Sequence, residues 1–363
     1  MIVLDGTTGI TTPTTNSTAE HVTSVTGFKN RIINGGMVID QRNAGASLTI
    51  TANPQYTLDR WFAGVTTGSK ISIQQNADSV TPPVGFTKYL GVTSLAATTL
   101  GSGDLYYLQQ SVEGFNTSDL AFGTASASAI TISFWVRSSL TGTFGAALLN
   151  AGSNRSYPFN YSIASANTWT QITQTIPGDV TGTWATDNTT GFQLRIGLGA
   201  GATYQGTAGA WGTANVVTTT GSVSVVGTSG ATFYITGVQL EKGSVATSFD
   251  YRPYGTELSL CQRYYQISKL FPCIYNSTTS VVCSATFKCS MRATPSIAQQ
   301  GVFQITSGTA DLTQSSTSIT LFDADLDFAF FGLGNFTAVI ATQTYIGTRG
   351  SANKNGVILS AEL

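Results

Sequence analysis

Apolar and polar residues alternate one by one through several short segments, and this period of two constrains the fold more than any other feature. In residues 130–137 the even positions are Ile, Ile, Phe and Val, and the odd positions are Thr, Ser, Trp and Arg. Residues 192–198 alternate in the same way, and in residues 233–240 the apolar parity changes at Gly237. Because successive strand residues face opposite sides of a sheet, the pattern predicts half-buried strands and a β-bulge at Gly237. We therefore expect an all-β protein built around a β-sandwich.

The charge content narrows the classes of function. The chain has 17 Lys and Arg against 18 Asp and Glu, which gives a net charge of −1. A chain without excess positive charge does not attract a phosphate backbone, so we expect no nucleic-acid partner. A hydrophobic content of 41% argues against disorder, and the scarcity of Glu and Lys argues against a helical bundle. His21 is the only histidine, which leaves little room for a His base or a multi-His metal site. No cofactor is expected.

The N-terminal sequence indicates where the chain is made. It begins Met-Ile-Val-Leu-Asp-Gly, without the basic and long apolar regions of a signal peptide. No stretch reaches the roughly 18 apolar residues of a membrane helix, so we expect no membrane insertion. We interpret the chain as a protein that is made in a cytoplasm and assembled into a larger particle.

Changes in composition divide the chain into three parts. Residues 1–27 form a polar arm that is too poor in apolar surface to fold alone, so it needs a neighbouring subunit or packs on its own domain. Residues 28–252 carry the sandwich pattern. Residues 253–363 are a smaller C-terminal β-sandwich domain, which opens with a short helix predicted over 256–265. The arm residues that we expect to attach to a partner are Ile2, Val3, Leu4, Asp5 and Ile10.

The four cysteines show no zinc-binding spacing. Cys283 and Cys289 share the parity of Ala285 and Phe287, so both are predicted to lie on the apolar face of one strand as free, buried side chains. A disulfide is not expected for a chain that folds in a reducing cytoplasm.

Three carboxylates, Asp323, Asp325 and Asp327, alternate with apolar residues and are predicted to share one strand face. They are a weak candidate for a Ca²⁺ site, or for the acid and base of a glycosidase. The EF-hand pattern fails because Phe328 stands where a Gly is needed. The alternative is a solvated outer face that keeps a Phe-rich strand soluble.

Aromatic residues beside amides and charged groups are the strongest functional signal. A ring can stack on the C–H face of a sugar while polar neighbours bond its hydroxyls. The alternative is that these rings pack in subunit contacts or against their own loops. The candidate glycan-binding residues are Trp135, Arg155, Tyr157, Trp184, Tyr204 and Trp211.

Several motifs together resemble bacteriophage tail and fibre proteins. They are Asn-Arg-Ile-Ile-Asn-Gly-Gly-Met from residue 30, Tyr-Thr-Leu-Asp-Arg-Trp from residue 56, and Tyr-Arg-Pro-Tyr-Gly-Thr-Glu-Leu from residue 251. Residues 133–144, 233–243, 261–265 and 361–363 add to the set. The resemblance implies a virion protein with a middle domain like a carbohydrate-binding jelly roll, usually a trimer held to the particle by its N-terminal part. It also implies that residues 59–61 are a buried ion pair beside an indole and that residues 254–255 are a domain hinge.

The sequence therefore predicts a non-enzymatic virion structural protein, a trimeric tail fibre or adhesion appendage. It would attach to other virion proteins through its arm and bind bacterial surface polysaccharide. The alternative is a capsid decoration or head fibre protein with a purely structural role. A polysaccharide depolymerase is the weakest hypothesis, because the chain lacks the repeat of a β-helix.

Overall fold

The computed structural model describes residues 3–5, 9–11, 29–77, 80–268, 271–300, 303–307, 315–316, 318–335, 344–349 and 356–363. Within the arm, strands β1 (Val3–Asp5) and β2 (Gly9–Thr11) pair antiparallel, and only their backbone is described. Of the predicted attachment residues, Ile2 therefore lies outside the described residues, as does His21. For Val3, Leu4, Asp5 and Ile10 the structure describes the backbone and not the side chains.

Two six-stranded antiparallel sheets form the large β-sandwich. The first sheet has the order β11-β10-β13-β8-β5-β4. Its strands are β4 (Gln55–Tyr56), β5 (Phe62–Val65), β8 (Leu105–Glu113), β10 (Gly142–Asn150), β11 (Ser156–Ile163) and β13 (Thr190–Ala200). The second sheet has the order β12-β9-β16-β7-β6-β3. Its strands are β3 (Leu48–Thr49), β6 (Ile71–Gln75), β7 (Leu90–Ser94), β9 (Ile130–Ser138), β12 (Thr170–Ile176) and β16 (Thr232–Lys242).

The alternating apolar residues place the core between these sheets, but the predicted half-buried character is wrong for β13, which is buried on both faces. Phe134 and Val136 of β9 are fully buried in the same cluster as Leu194 and Ile196 of β13. The expected bulge is confirmed, because the pairing of β16 with β9 shifts between Thr236 and Gln239 and Gly237 has a φ of +62°. Short elements join the strands: the 3₁₀ turns Gly114–Asn116, Ser118–Leu120 and Ala202–Tyr204, and the parallel pair β14 (Gln205–Gly206) and β15 (Thr218–Thr219).

The C-terminal part opens with helix α1 (Tyr254–Gln262), which confirms the predicted helix and begins two residues earlier. Its buried Cys261 packs with Ile33 and Ile39, so the helix rests on the start of the sandwich. Two sheets follow, in the orders β17-β26-β20 and β22-β21-β25-β18-β19-β24-β23. The strands are β17 (Tyr265–Ser268), β18 (Phe271–Ser277), β19 (Ser280–Thr286), β20 (Ser296–Gln300), β21 (Phe303–Ser307), β22 (Ser315–Ser316), β23 (Ser318–Ala324), β24 (Phe328–Gly334), β25 (Thr344–Arg349) and β26 (Gly356–Ser360). The predicted all-β class with a single α-helix is confirmed over the described residues.

A buried charged network joins the C-terminal part to the sandwich. Glu362 accepts hydrogen bonds from Arg60 and Arg42, and the Arg60 side chain is only 1% exposed. The expected ion pair within residues 59–61 is therefore wrong, because Arg60 pairs with Glu362 instead. Asp59 accepts the backbone N–H of Gln41 at 2.6 Å and its side-chain amide at 2.7 Å. The expected hinge residues Tyr254 and Gly255 are the first residues of α1.

The cysteine prediction also needs correction. Cys273 and Cys283 form a disulfide, because β18 and β19 pair in a register that places them directly opposite each other. Cys283 is buried as predicted, but it is not free. Cys289 does not share its strand face, because β19 ends at Thr286 and Cys289 lies half-buried in the following loop.

The three aspartates do not lie on one strand face. Strand β23 ends at Ala324 and β24 begins at Phe328, so Asp325 and Asp327 lie in the turn between them. The pairing register also shifts just before Asp323. In the part of the chain that the structure describes, no group of three His, Cys, Asp or Glu side chains could hold a metal ion. The Ca²⁺ candidate is therefore not supported.

Candidate functional site

Four of the six predicted glycan-binding residues lie close together at one place on the sandwich. They are Arg155, Tyr157, Trp184 and Trp211. The Trp184 and Trp211 rings lie 5.5 Å apart at an interplanar angle of 82°. Both rings also pack edge-on against Phe122, at 5.0 Å and 5.9 Å. Both indoles keep part of their surface exposed. We call Trp184, Trp211, Phe122, Arg155 and Asp179 the rim cluster.

Hydrogen bonds from the surrounding loops fix both indoles. The Trp184 Nε1–H donates to the Thr181 carbonyl at 3.1 Å, and the Trp211 Nε1–H donates to the Pro177 carbonyl at 2.8 Å. Because both indole N–H groups already donate to carbonyls, the rings can offer a ligand only their apolar π faces, on which the C–H groups of a sugar can stack. Tyr157 packs beneath Trp211 with 5.3 Å between the ring centres and is only 5% exposed. Its ring therefore supports Trp211 rather than facing solvent.

A bidentate ion pair provides the polar part of the rim cluster. Arg155 donates from Nε and Nη2 to the two carboxylate oxygens of Asp179, at 2.7 Å and 2.6 Å. Burial would raise the pKa of Asp179, but the hydrogen bonds from Arg155 and Thr181 outweigh it and hold the pKa below its usual range. The same hydrogen bond raises the pKa of Arg155. Both groups therefore stay charged and fixed beside the Trp211 ring, which lies 6.0 Å from the guanidinium.

The other two predicted residues lie elsewhere. Trp135 lies on the outer face of the second sheet, where its cross-strand neighbours are Gln171 and Thr236. Tyr204 packs in a separate apolar group with Phe62 and Tyr107 beside the first sheet. The structure therefore separates the sequence candidates into one cluster and two isolated positions.

A pocket that the sequence analysis missed lies where the sandwich passes into α1. It has a volume of about 210 Å³. Its lining comes from residues 30–38, 85–87 and 249–257, and we call it the linker pocket. The aromatic side consists of Phe86, Phe249 and Tyr251, whose ring centres lie 4.9 to 5.7 Å apart. Only the fold brings these three segments together, so no local motif could have predicted the pocket.

Two glycines make room for the rings of the linker pocket. A Cβ at Gly237 would lie 2.5 Å from Cζ of Phe86, and a Cβ at Gly85 would lie 2.5 Å from the Tyr251 hydroxyl oxygen. Both glycines have a positive φ, which side-chain-bearing residues rarely adopt. The bulge at Gly237 therefore leaves the space that the Phe86 ring occupies beside the pocket.

Comparisons with known proteins give only structural neighbours. No protein-family model and no curated protein sequence matches this chain. The chain is similar to the enzymatically active domain of tailspike protein 4 of bacteriophage CBA120, at 11% identity and a TM-score of 0.31. That match covers 59% of this chain and 21% of the tailspike chain.

Two sugar-binding proteins are also similar. One is a putative sugar binding protein from Bacteroides thetaiotaomicron, with 12% identity, a TM-score of 0.34 and coverage of 59% of this chain and 100% of that chain. The other is a family 11 carbohydrate-binding module from Clostridium thermocellum, with 14% identity, a TM-score of 0.27 and coverage of 55% and 97%. Identities and TM-scores this low do not by themselves indicate function. Among the described residues, no helix is long and apolar enough to cross a membrane.

Proposed function

We propose that this chain is a non-enzymatic structural protein of a bacteriophage virion, a trimeric tail fibre or adhesion appendage that binds host surface glycan. The rim cluster is the observation that carries the glycan part of the proposal. It combines two partly exposed indoles with the Arg155 guanidinium, which the buried Asp179, only 1% exposed, holds in place from below through two hydrogen bonds. Rings that stack and charged groups that bond hydroxyls are what a sugar site needs.

The virion part of the proposal is supported by the motif resemblance and by the polar N-terminal arm. The arm would attach the protein to other virion proteins, and the outer loops would face the host. A single site of this size binds a glycan weakly, but three copies on one trimer, and many on one particle, raise the overall affinity through multivalency.

Binding of the intact protein to host cells and to purified surface polysaccharide tests this function. We expect Trp184→Ala and Trp211→Ala to weaken binding at least about fivefold, taking roughly 1–3 kcal/mol for the loss of one stacked aromatic ring. Trp169→Ala is the matched control, because Trp169 is also partly exposed and donates its indole N–H to a loop carbonyl, that of Thr81, at 2.8 Å. Equal losses in all three variants, or no binding by the unaltered protein, would contradict the proposal.

One observation favours the alternative, a capsid decoration or head fibre protein. The outer face of the C-terminal seven-stranded sheet exposes large apolar side chains. Phe322 is 53% exposed, Phe330 40% and Ile274 58%. An apolar face of this kind suits contact with another virion protein. Locating the chain in the particle distinguishes the two roles, because burial of its outer loops between other virion proteins would exclude adhesion.

The absence of enzymatic activity is part of the proposal and has its own test. The carboxylates that could serve a depolymerase lie in and beside the β23–β24 turn, and Asp327 accepts a hydrogen bond from the Ser290 hydroxyl. We expect the protein to leave host polysaccharide uncleaved. Release of oligosaccharides that disappears in Asp325→Asn would overturn this expectation.

A further inference from the structure

We infer that the linker pocket is a second ligand site and takes one uncharged sugar ring of pyranose size. The inference deepens the proposed function and rests on it for the source of the sugar, a host glycan. The pocket is separate from the rim cluster, because the two share no lining residue. Its shape, its aromatic wall and its charge each point to this class of ligand.

The aromatic wall offers an apolar surface to one side of the pocket. Phe86 and Phe249 lie 5.0 Å apart at 71°, and Phe249 and Tyr251 lie 4.9 Å apart at 72°. Rings this close pack edge to face and hold each other in place. Together they line one side of a cavity of about 210 Å³. The C–H face of a sugar is the complementary surface.

The opposite polar side supplies hydrogen-bond acceptors. Asp250 Oδ2 accepts the backbone N–H groups of Lys29 at 2.8 Å and Asn30 at 3.2 Å, which fixes the carboxylate. Its second oxygen accepts no hydrogen bond from the described residues, so it is available to ligand hydroxyls. The Tyr251 phenol is protonated at neutral pH, because the usual tyrosine pKa is about 10, so it can donate a hydrogen bond.

The charge balance excludes acidic sugars. The pocket also contains Arg252 and Glu257, but these two pair with each other at 3.1 Å and neutralise each other's charge. Asp250 therefore leaves the pocket with a net negative charge. A ligand carboxylate or sulfate would be repelled by Asp250, whereas a neutral hydroxyl would donate to it.

The pocket is held in its binding shape before a ligand arrives. The Val238 N–H donates to the Gly35 carbonyl at 3.0 Å, and the Thr236 hydroxyl donates to the Lys88 carbonyl at 2.7 Å. These two hydrogen bonds attach the turn at Gly35 and the loop before β7 to the bulge of β16. A preformed site loses less conformational entropy on binding.

Saturation-transfer NMR and calorimetry on the full chain test the inference with defined probes. The neutral probes are the methyl glycosides of glucose, galactose and mannose and N-acetylglucosamine, and glucuronic acid is the charged counterpart of glucose. We expect at least one neutral probe to bind with a Kd on the order of millimolar, with saturation at its C–H protons. We expect glucuronic acid to bind about tenfold more weakly than the best neutral probe.

Two variants and a matched control locate the binding. Tyr251→Ala should weaken binding at least about fivefold. Asp250→Asn should remove most of the discrimination against glucuronic acid, while its amide oxygen still accepts the backbone N–H groups. Tyr254→Ala is the control, because Tyr254 is 64% exposed and Tyr251 59%, but Tyr254 does not line the pocket. Thermal unfolding of each variant confirms that it folds.

The outcomes separate this inference from the proposed function. Sugar binding that is lost in Tyr251→Ala and kept in Trp184→Ala supports the linker pocket. Binding that is lost only in Trp184→Ala overturns the pocket and leaves the proposed function standing. If no neutral probe binds at a concentration on the order of 10 mM while host polysaccharide still binds, the pocket inference alone fails. If polysaccharide does not bind either, both fail.

Discussion

Removing the Glu362 carboxylate should loosen the C-terminal part from the sandwich. Glu362 is the shared partner of Arg60 and Arg42, and its side chain is only 7% exposed. Arg60 cannot turn to water when the carboxylate is lost, because its side chain is 1% exposed. Glu362→Ala therefore leaves a buried guanidinium without its counter-charge, which is among the largest effects that a single substitution can have.

The loss of stability in Glu362→Ala depends on the contacts that Arg60 retains. Breaking a buried ion pair on one side costs roughly 3–5 kcal/mol. Arg60 still donates to the Ser111 carbonyl at 2.6 Å, and its guanidinium still lies 3.5 Å from the centre of the Tyr264 ring. Arg42 is 13% exposed and can find water more easily. We expect a loss near the lower end, about 3 kcal/mol of unfolding free energy.

Urea unfolding followed by circular dichroism and tryptophan fluorescence measures this loss. Asp119→Ala is the matched control, because it breaks the Arg31–Asp119 pair, whose side chains are 20% and 50% exposed, and should cost less than about 1 kcal/mol. The double variant Arg60→Met/Glu362→Leu should recover part of the loss, since it removes the uncompensated charge of Arg60, while Arg42 keeps its charge and is 13% exposed. A Glu362→Ala cost no larger than that of Asp119→Ala would refute the reasoning.

Three further predictions concern single features. Burial raises the pKa of Asp59 from 3.8 to about 6, so the folded state binds the proton more tightly than the unfolded state. The unfolding free energy should therefore fall by about 3 kcal/mol as the pH rises from about 4 to about 6. Urea unfolding at a series of pH values should show this fall in the native chain and not in Asp59→Asn. Thiol titration of the denatured chain should find two reactive thiols before reduction and four after it, because Cys273 and Cys283 are joined. Gly237→Ala should cost about 1–3 kcal/mol in thermal unfolding, because the new Cβ would meet the Phe86 ring, whereas Gly212→Ala, with open space around it, should cost less.

The parts of the fold that could be predicted from sequence are those set by neighbouring residues. Alternation in residues 130–137 is a local property of the backbone, so β9 and its buried face were predictable. The bulge at Gly237 was predictable for the same reason, since an inserted residue must reverse the parity. Residues 322–328 are a place where alternation does not determine the fold. Their alternation continues through a turn, so a pattern alone could not distinguish one strand from two.

Contacts between distant segments could not be predicted, because nothing local marks the partner. Arg60 and Glu362 are 302 positions apart, and the Asp59 beside Arg60 looked like the simpler partner. The disulfide depends on the register of β18 and β19, which the sequence does not state. The rim cluster was partly predictable, because aromatic residues beside polar loop residues point to a ligand surface. That Trp184, Trp211 and Arg155 meet is a result of the fold.

The scarcity of charge acquires a physical meaning once the ion pairs are located. In the part of the chain that the structure describes, the pairs made by Arg60, Arg252 and Arg263 each include a carboxylate that is at most 11% exposed. These three pairs therefore fasten elements internally and do not contribute to the charge of the binding surface. Binding to such a surface should depend little on long-range electrostatics. Affinity for a neutral host glycan should change less than about twofold between about 50 mM and about 500 mM NaCl, measured by calorimetry. A steep fall with salt would show that surface charge, and not the rings, holds the ligand.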